Sequence, residues 1–220
     1  MALTVPSRNA TYAGIGSRQS PREILALMRS AARFLADRGW TLRTGGADGA
    51  DAAFAAGAGD RVELYLPWPG FNRHQGGIVR PTEGAIAMAR RVHPAWGRLK
   101  RGARLLHARN CHQVLGRGLD APAAFVLCWT PDGARSAEEC SVETGGTATA
   151  IRIASEHGIP VFNLWHSGER EALLEAISRA GAPRGVRRPR VTGRACGKGV
   201  AVCASPLDSG GRGLRPERQH

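Results

Sequence analysis

Three short glycine-rich segments hold the clearest chemical pattern of this sequence: Gly14-Ile15-Gly16-Ser17-Arg18, Thr44-Gly45-Gly46-Ala47-Asp48-Gly49 and Thr144-Gly145-Gly146-Thr147. Glycine lets backbone N–H groups approach a ligand closely, and a helix that starts just beyond such a turn favours an anion at its N-terminus. The hydroxyls of Ser17 and Thr147 and the guanidinium of Arg18 add side-chain donors of the kind that hold phosphate, with Asp48 inside the second turn and Asp51 just after it. One such turn means little, because tight turns also need glycine for steric reasons; three at strand ends describe a phosphate-binding crevice. The first turn is not a GxGxxG fingerprint and no GxxxxGK[ST] is present, which disfavours a dinucleotide dehydrogenase and a P-loop NTPase.

Charge points to the same class of partner. The 31 basic residues exceed the 18 acidic ones, for a formal charge of +13, and Lys100 and Lys198 are the only lysines. Genomic base composition can produce an arginine-rich chain, so the location of the charge decides. Between Glu83 and Asp120 there is no acid, while Arg90, Arg91, Arg98, Lys100, Arg101, Arg104, Arg109 and Arg117 give +8. A solvated face normally mixes both signs, so this stretch is expected to form an anion-contacting rim, with Arg98, Arg101 and Arg104 on nucleic acid. Trp68 and Phe71, in a Pro/Gly-rich loop, are placed to stack on a base.

These residues need a scaffold, and the periodicities supply one. Short apolar runs at Ala10 to Ile15, Trp40 to Thr44, Val62 to Leu66, Ala124 to Trp129 and Ile159 to Leu164 read as buried strands. Between them lie helical patterns. Ser20, Pro21 and Glu23 predict a capped start for a helix that runs to Gly39; an alanine-rich helix follows Asp48, another runs from Gly146-Thr147 to His157, and the last spans Gly168 to Ala180. Alternating strands and helices predict a Rossmann-like three-layer α/β fold, doubly wound around a mostly parallel sheet, over residues 1–180. Trp40, Trp96 and Trp165 are expected to pack on that sheet. Residues 181–220, with nine basic and two acidic side chains and no periodic apolar face, are expected to be a largely disordered Gly/Pro/Arg-rich tail.

The five cysteines form no CxxC pair, the first nine residues lack the apolar stretch of a signal peptide, and no apolar run approaches the roughly 20 residues of a membrane span. A reduced, cytoplasmic protein with no membrane role is expected. The histidines fall at no metal-ligand spacing with the cysteines, and neither metal nor cofactor is assigned. Cys128, beside Trp129, reads as a small core residue rather than a nucleophile.

From residue 11 to about 165 the sequence resembles the SLOG superfamily. The residues that carry this are Tyr12 to Arg18, Gly45-Gly46-Ala47-Asp48-Gly49-Ala50-Asp51, Ala108-Arg109-Asn110, Gly145 to Ala150 and Ile159-Pro160-Val161-Phe162. Their order is most similar to the Rossmann-like domain of the DNA-processing proteins called DprA or Smf, in which a GSR turn, a glycine-rich turn ending in Asp, an Arg-Asn pair opening a helix and an SGT-type turn follow one another. The resemblance implies binding of a nucleotide or of single-stranded DNA in DNA processing or recombination. Ser17 and Arg18 would then sit at a first phosphate site, Gly46 and Asp51 at a second, Arg109 and Asn110 beside the crevice, and Gly146 and Thr147 at the last turn. The family's winged-helix module has no counterpart in the basic tail, and the loop from Pro67 to Gly77 departs from the usual pattern.

The sequence also resembles phosphoribohydrolases of the cytokinin-activating type, whose PGGxGTxxE turn would place Ala150 where that family has its Glu. Without that carboxylate no catalytic residue is assigned, and an enzyme or sensor acting on a nucleotide derivative stands as the alternative to a binding protein. Self-association into a homodimer is left open.

Overall fold

The structure, a computed structural model, describes residues 10–181; the expected disordered tail lies outside them, as do Cys196 and Cys203. In chain order the elements are β1 (Thr11–Gly14), α1 (Arg22–Ala36), β2 (Thr41–Thr44), α2 (Ala50–Ala58), β3 (Val62–Leu66), β4 (Ile78–Val79), α3 (Glu83–Val92), α4 (Arg101–Leu115), β5 (Val126–Cys128), α5 (Ala148–Glu156), β6 (Val161–Asn163) and α6 (Ser167–Gly181). Short 3-10 turns occupy Phe71–Arg73, Trp96–Arg98 and Gly145–Thr147.

All six strands are parallel and lie in the order β4-β3-β2-β1-β5-β6. Successive side chains on a strand point to opposite faces, and here that alternation distributes them between two cores. Tyr12 and Leu127 join Met28, Leu42, Phe54 and Leu164 beneath α1 and α2. Their neighbours Ala13, Val126 and Cys128 join Val114, Ile151 and Ile153 beneath α3, α4 and α5. The result is the three-layer, doubly wound arrangement that the apolar runs predict.

The strands are shorter than their apolar runs because regular pairing gives way at both ends to single backbone bonds. Ala124 N donates to Thr11 O at 2.9 Å, and Ser17 N donates to Trp129 O at 3.2 Å. The two-residue β4 was not legible beforehand; it shows no period of its own and is held by Tyr65↔Ile78 and Leu66↔Val79 pairing. Two local expectations need correction. Ser20 does not cap α1: Pro21 stands at the N-cap without a side-chain bond, and the Ser20 hydroxyl donates to Ser17 O at 2.9 Å. Trp165 does not pack on the sheet but is 48% exposed, over Gly133, whereas Trp40 is 7% exposed within the first core.

Helices α1 and α2 approach closely because α2 is built from alanine and glycine. A Cβ at Gly57 would run into the Arg29 carbonyl oxygen and come within 2.8 Å of Ala32 Cβ. Backbone cannot yield as a flexible side chain does, so overpacking should cost about 1–3 kcal/mol. Gly57→Ala is therefore expected to lower the midpoint of urea unfolding, and an unchanged midpoint would show that the helices separate freely.

Candidate functional site

The chain builds outward from β1 to β4, then returns to place β5 on the other side of β1. The strand order reverses there, and the crevice beyond the carboxyl ends of strands at such a reversal is where open α/β sheets bind ligands. The three glycine-rich segments behave differently at this edge. In the first, Ser17 O accepts bonds from Ala50 N at 3.3 Å and from Ser20 Oγ at 2.9 Å, and Ser17 Oγ accepts from Gln19 N at 3.0 Å. Ser17 is thus half-buried and committed locally, while Arg18 is exposed and has no side-chain partner among the described residues.

The first and second turns pack backbone to backbone. A Cβ on Gly16 would lie 2.9 Å from Ala50 Cβ and 3.0 Å from Trp129 O; one on Gly49, at φ +79°, would lie 2.7 Å from the Arg18 backbone. Gly14 is closed in by Leu42 and Phe54. These glycines answer to the protein's own packing. The third turn is open: Gly145 and Gly146 are exposed, with nothing within 4 Å of either added Cβ. Gly145 needs its left-handed φ of +61°, but neither φ nor a neighbour requires glycine at 146. The Gly146 carbonyl accepts a bond from Asn110 Nδ2 at 2.8 Å, and Thr147 is buried behind it.

Beneath the second turn lies a polar floor. Arg109 Nη1 donates to Asp51 Oδ2 at 3.1 Å and to Gln113 Oε1 at 2.7 Å, while Ala47 N donates to the same Asp51 oxygen at 3.3 Å. Arg109 and Asp51 are 5% and 2% exposed, so both stand under the turn rather than in front of it. Gly45 has no space for a Cβ because the Arg109 guanidinium occupies it. Burial raises the Asp51 carboxyl above its ordinary range, opposed by the Arg109 charge and the Ala47 amide. Above the floor, Asn72 Nδ2 donates to Gly46 O and Asp48 Oδ1, each at 3.1 Å, and His74 Nε2 lies 3.1 Å from Gly46 O.

Arg109 and Asn110 do not open a helix. They fall in the third turn of α4, which begins at Arg101. The last turn of α4 meets the amino end of β5, with Ala123 N donating to Val114 O at 2.7 Å. The helix therefore runs against the strands, and its first two turns reach past their carboxyl ends. Those turns and the residues before them carry Arg98, Lys100 and Arg101, exposed and without side-chain partners among the described residues. Arg104 is more engaged: Nη2 donates to Gly97 O at 3.2 Å and the guanidinium carbon lies 5.8 Å from the Trp96 ring centre. The eight basic residues of the acid-free stretch are not equivalent, since Arg91 pairs with Glu156 and Arg109 with Asp51.

Sequence reasoning missed Gln113 and the cluster of His93, His107 and Thr149 around this edge. Gln113 lies one helical turn beyond Arg109, a spacing that could have flagged it. His107 Nδ1 lies 2.7 Å from Thr149 Oγ1, and its ring centre is 4.4 Å from that of His93; the three come from separate elements and leave no local signal. Burial, with the charges of His93, Arg109 and Arg152 behind it, lowers His107 to about 4. Asp132 experiences burial that would raise it, but bonds from the Ser141, Thr144 and Thr130 hydroxyls and the Ala134 amide together bring it down to about 2. Cys128 is fully buried and its thiol is pushed up, in keeping with a core role. Ala150 is also fully buried. Among the described residues no group of three His, Cys, Asp or Glu could hold a metal ion, and no helix is long and apolar enough to cross a membrane.

Two measurements check this electrostatic arrangement. Asp51→Ala leaves Arg109 buried without its counter-charge and should cost about 3–5 kcal/mol in chemical unfolding; a loss below 1 kcal/mol would place the pair in contact with water. For His107 the folded value near 4 lies below the ordinary 6.5, so between these the unfolded chain binds the proton that the folded one refuses. Stability should be complete above pH 6.5 and fall by up to about 2 kcal/mol by pH 5. His107→Gln should flatten that slope.

No protein-family model matches the chain, and no curated protein is significantly similar to it. Among solved structures, the chain is similar to DNA processing protein A from Helicobacter pylori, a single-stranded DNA binder, at 18% identity and a TM-score of 0.46, covering 76% of this chain and 72% of that one.

Proposed function

We propose that this chain is a DprA/Smf-like protein that binds the phosphates of single-stranded nucleic acid along the carboxyl edge of its sheet, in DNA processing. The observation that carries this reading is the row of cations Arg98, Lys100 and Arg101, without side-chain partners among the described residues, at the leading end of α4, whose third turn holds the open Gly145-Gly146 turn through Asn110. The α4 N-terminus adds its own positive end, and no acid in its first turn offsets it. Cations gathered there without internal partners are suited to a polyanion, whose binding releases condensed counterions. Arg18 is exposed in the turn after β1, at the carboxyl edge of the same sheet.

Binding without turnover is the reading the carboxylates support. Asp51 is held by Arg109, and Asp132 by the hydroxyls around it. Neither is arranged as a free acid or base beside the crevice.

Fluorescence anisotropy with a labelled oligonucleotide over a range of salt concentrations tests this. Each neutralised phosphate contributes a slope of about −0.7 on single strands, so Arg98→Ala, Arg101→Ala and Arg104→Ala together should flatten log K against log salt by up to about 2 units. The flattening should be the same for every sequence, because phosphate contacts carry no base information. Deleting residues 183–220 removes a net charge close to that of the acid-free stretch and serves as the control. If only that deletion changes the slope, the edge is not the site.

A further inference from the structure

We infer that the loop from Pro67 to His74 is a stacking platform for an unpaired base, which makes this edge select single strands over duplex; the inference rests on the phosphate-binding reading above. Trp68 and Phe71 meet edge to face, with ring centres 5.1 Å apart and planes at 87°. Both are partly exposed and neither belongs to either core. Two adjoining aromatic rings outside the core offer a flat apolar surface that a ligand ring can cover.

The loop is fastened in a conformation that its own backbone does not favour. Asn72 and Arg73 have left-handed φ values of 50° and 64°, a conformation asparagine accepts but arginine adopts at a cost. The contacts that hold it are the bonds from Asn72 and His74 to Gly46 O and from Asn72 to Asp48. Internal bonds from Phe71 N to Trp68 O at 3.3 Å and from His74 N to Phe71 O at 3.1 Å close the turn. The rings are thereby fixed to the same β2 turn that rests on the Arg109 and Asp51 floor.

Their position relative to charge gives the ligand. The six-membered ring of Trp68 lies 3.8 Å from where a Cβ on Gly102 would stand, in the first turn of α4 and adjacent in sequence to Arg101. Aromatic faces next to a track of cations are the combination that holds single-stranded nucleic acid, the cations following phosphates while the rings take up bases without reading them. In a duplex both faces of each base are covered by its neighbours, so a duplex can use the cations but not the rings.

The test compares three 20-nucleotide ligands of equal charge per strand: a thymine strand, an abasic strand with the same phosphates, and a duplex. The unaltered protein should bind the thymine strand about tenfold more tightly than the abasic strand. Trp68→Ala should weaken thymine-strand binding by about tenfold, leave abasic and duplex binding unchanged and leave the salt slope unchanged, and Trp68→Phe should restore most of the loss. Equal affinity of the unaltered protein for thymine and abasic strands overturns the platform, and this measurement needs no variant to fold. Folded Trp68→Ala and Phe71→Ala variants that bind all three ligands normally, while Arg98→Ala with Arg101→Ala weakens them all, also overturn it and leave the phosphate reading intact. If the arginine variants have no effect either, the underlying reading fails with it.

Discussion

Arg109 and Asp51 are withdrawn from water, and charges buried in this way hold a structure together only while they face each other, because either alone would remain an uncompensated charge in a medium that solvates it poorly. This sets the geometry of the carboxyl edge. Asp51 belongs to α2 and Arg109 to α4, on opposite faces of the sheet, and the guanidinium reaches the end of β2 directly behind Gly45. The two helical layers are therefore joined by an ionic contact past the end of β2. The second glycine turn takes its shape from this contact, and the Asn72 and His74 loop takes its position from the turn.

With that anchor in place, the distribution of free and committed polar groups becomes orderly. Groups behind the strand ends are paired: Asp51 with Arg109, Asp132 with its ring of hydroxyls, His107 with Thr149. Arg98, Lys100 and Arg101 at the leading end of α4, and Arg18 at the β1 turn, have no side-chain partner among the described residues. Paired groups shape the edge and unpaired cations give it a positive field. The contrast between glycines makes the same division. Those in the first two turns make room for neighbouring backbone and side chains, whereas Gly146 makes room for nothing inside the protein.

The fold was largely legible because its strands are mostly apolar and α1 and α5 carry clear apolar stripes; each run found its strand, and each expected helix formed. What escaped was the middle of the chain, where neither α3 nor the 15-residue α4 was assigned, together with features that are short or non-local. A two-residue strand such as β4 has no period to detect, and the Ser20 hydroxyl was drawn to Ser17 O by the turn that precedes it rather than to the helix it was expected to cap. In the site, the glycines, Arg18 and the rim arginines could be marked from spacing and charge alone. The sequence could not show that Arg109, one cation among eight in an acid-free stretch, had an acid waiting on α2, because that pairing joins positions 58 residues apart. The His93, His107 and Thr149 cluster escaped for the same reason.

The clamping of α4 at its middle has a consequence for the phase of its charges. Arg109 and Asn110 fix the rotation of the helix about its axis, and each residue along it advances by about 100°. Inserting or deleting one residue between Arg101 and Ala108 would leave the clamp intact but swing the leading cations by that angle, away from the strand ends and toward bulk solvent. A change in the length of this interval alters the edge even where every residue type is kept. The eight positions before the clamp thus act as a fixed angular spacer, and their number is as much a part of the edge as the identity of the arginines they carry.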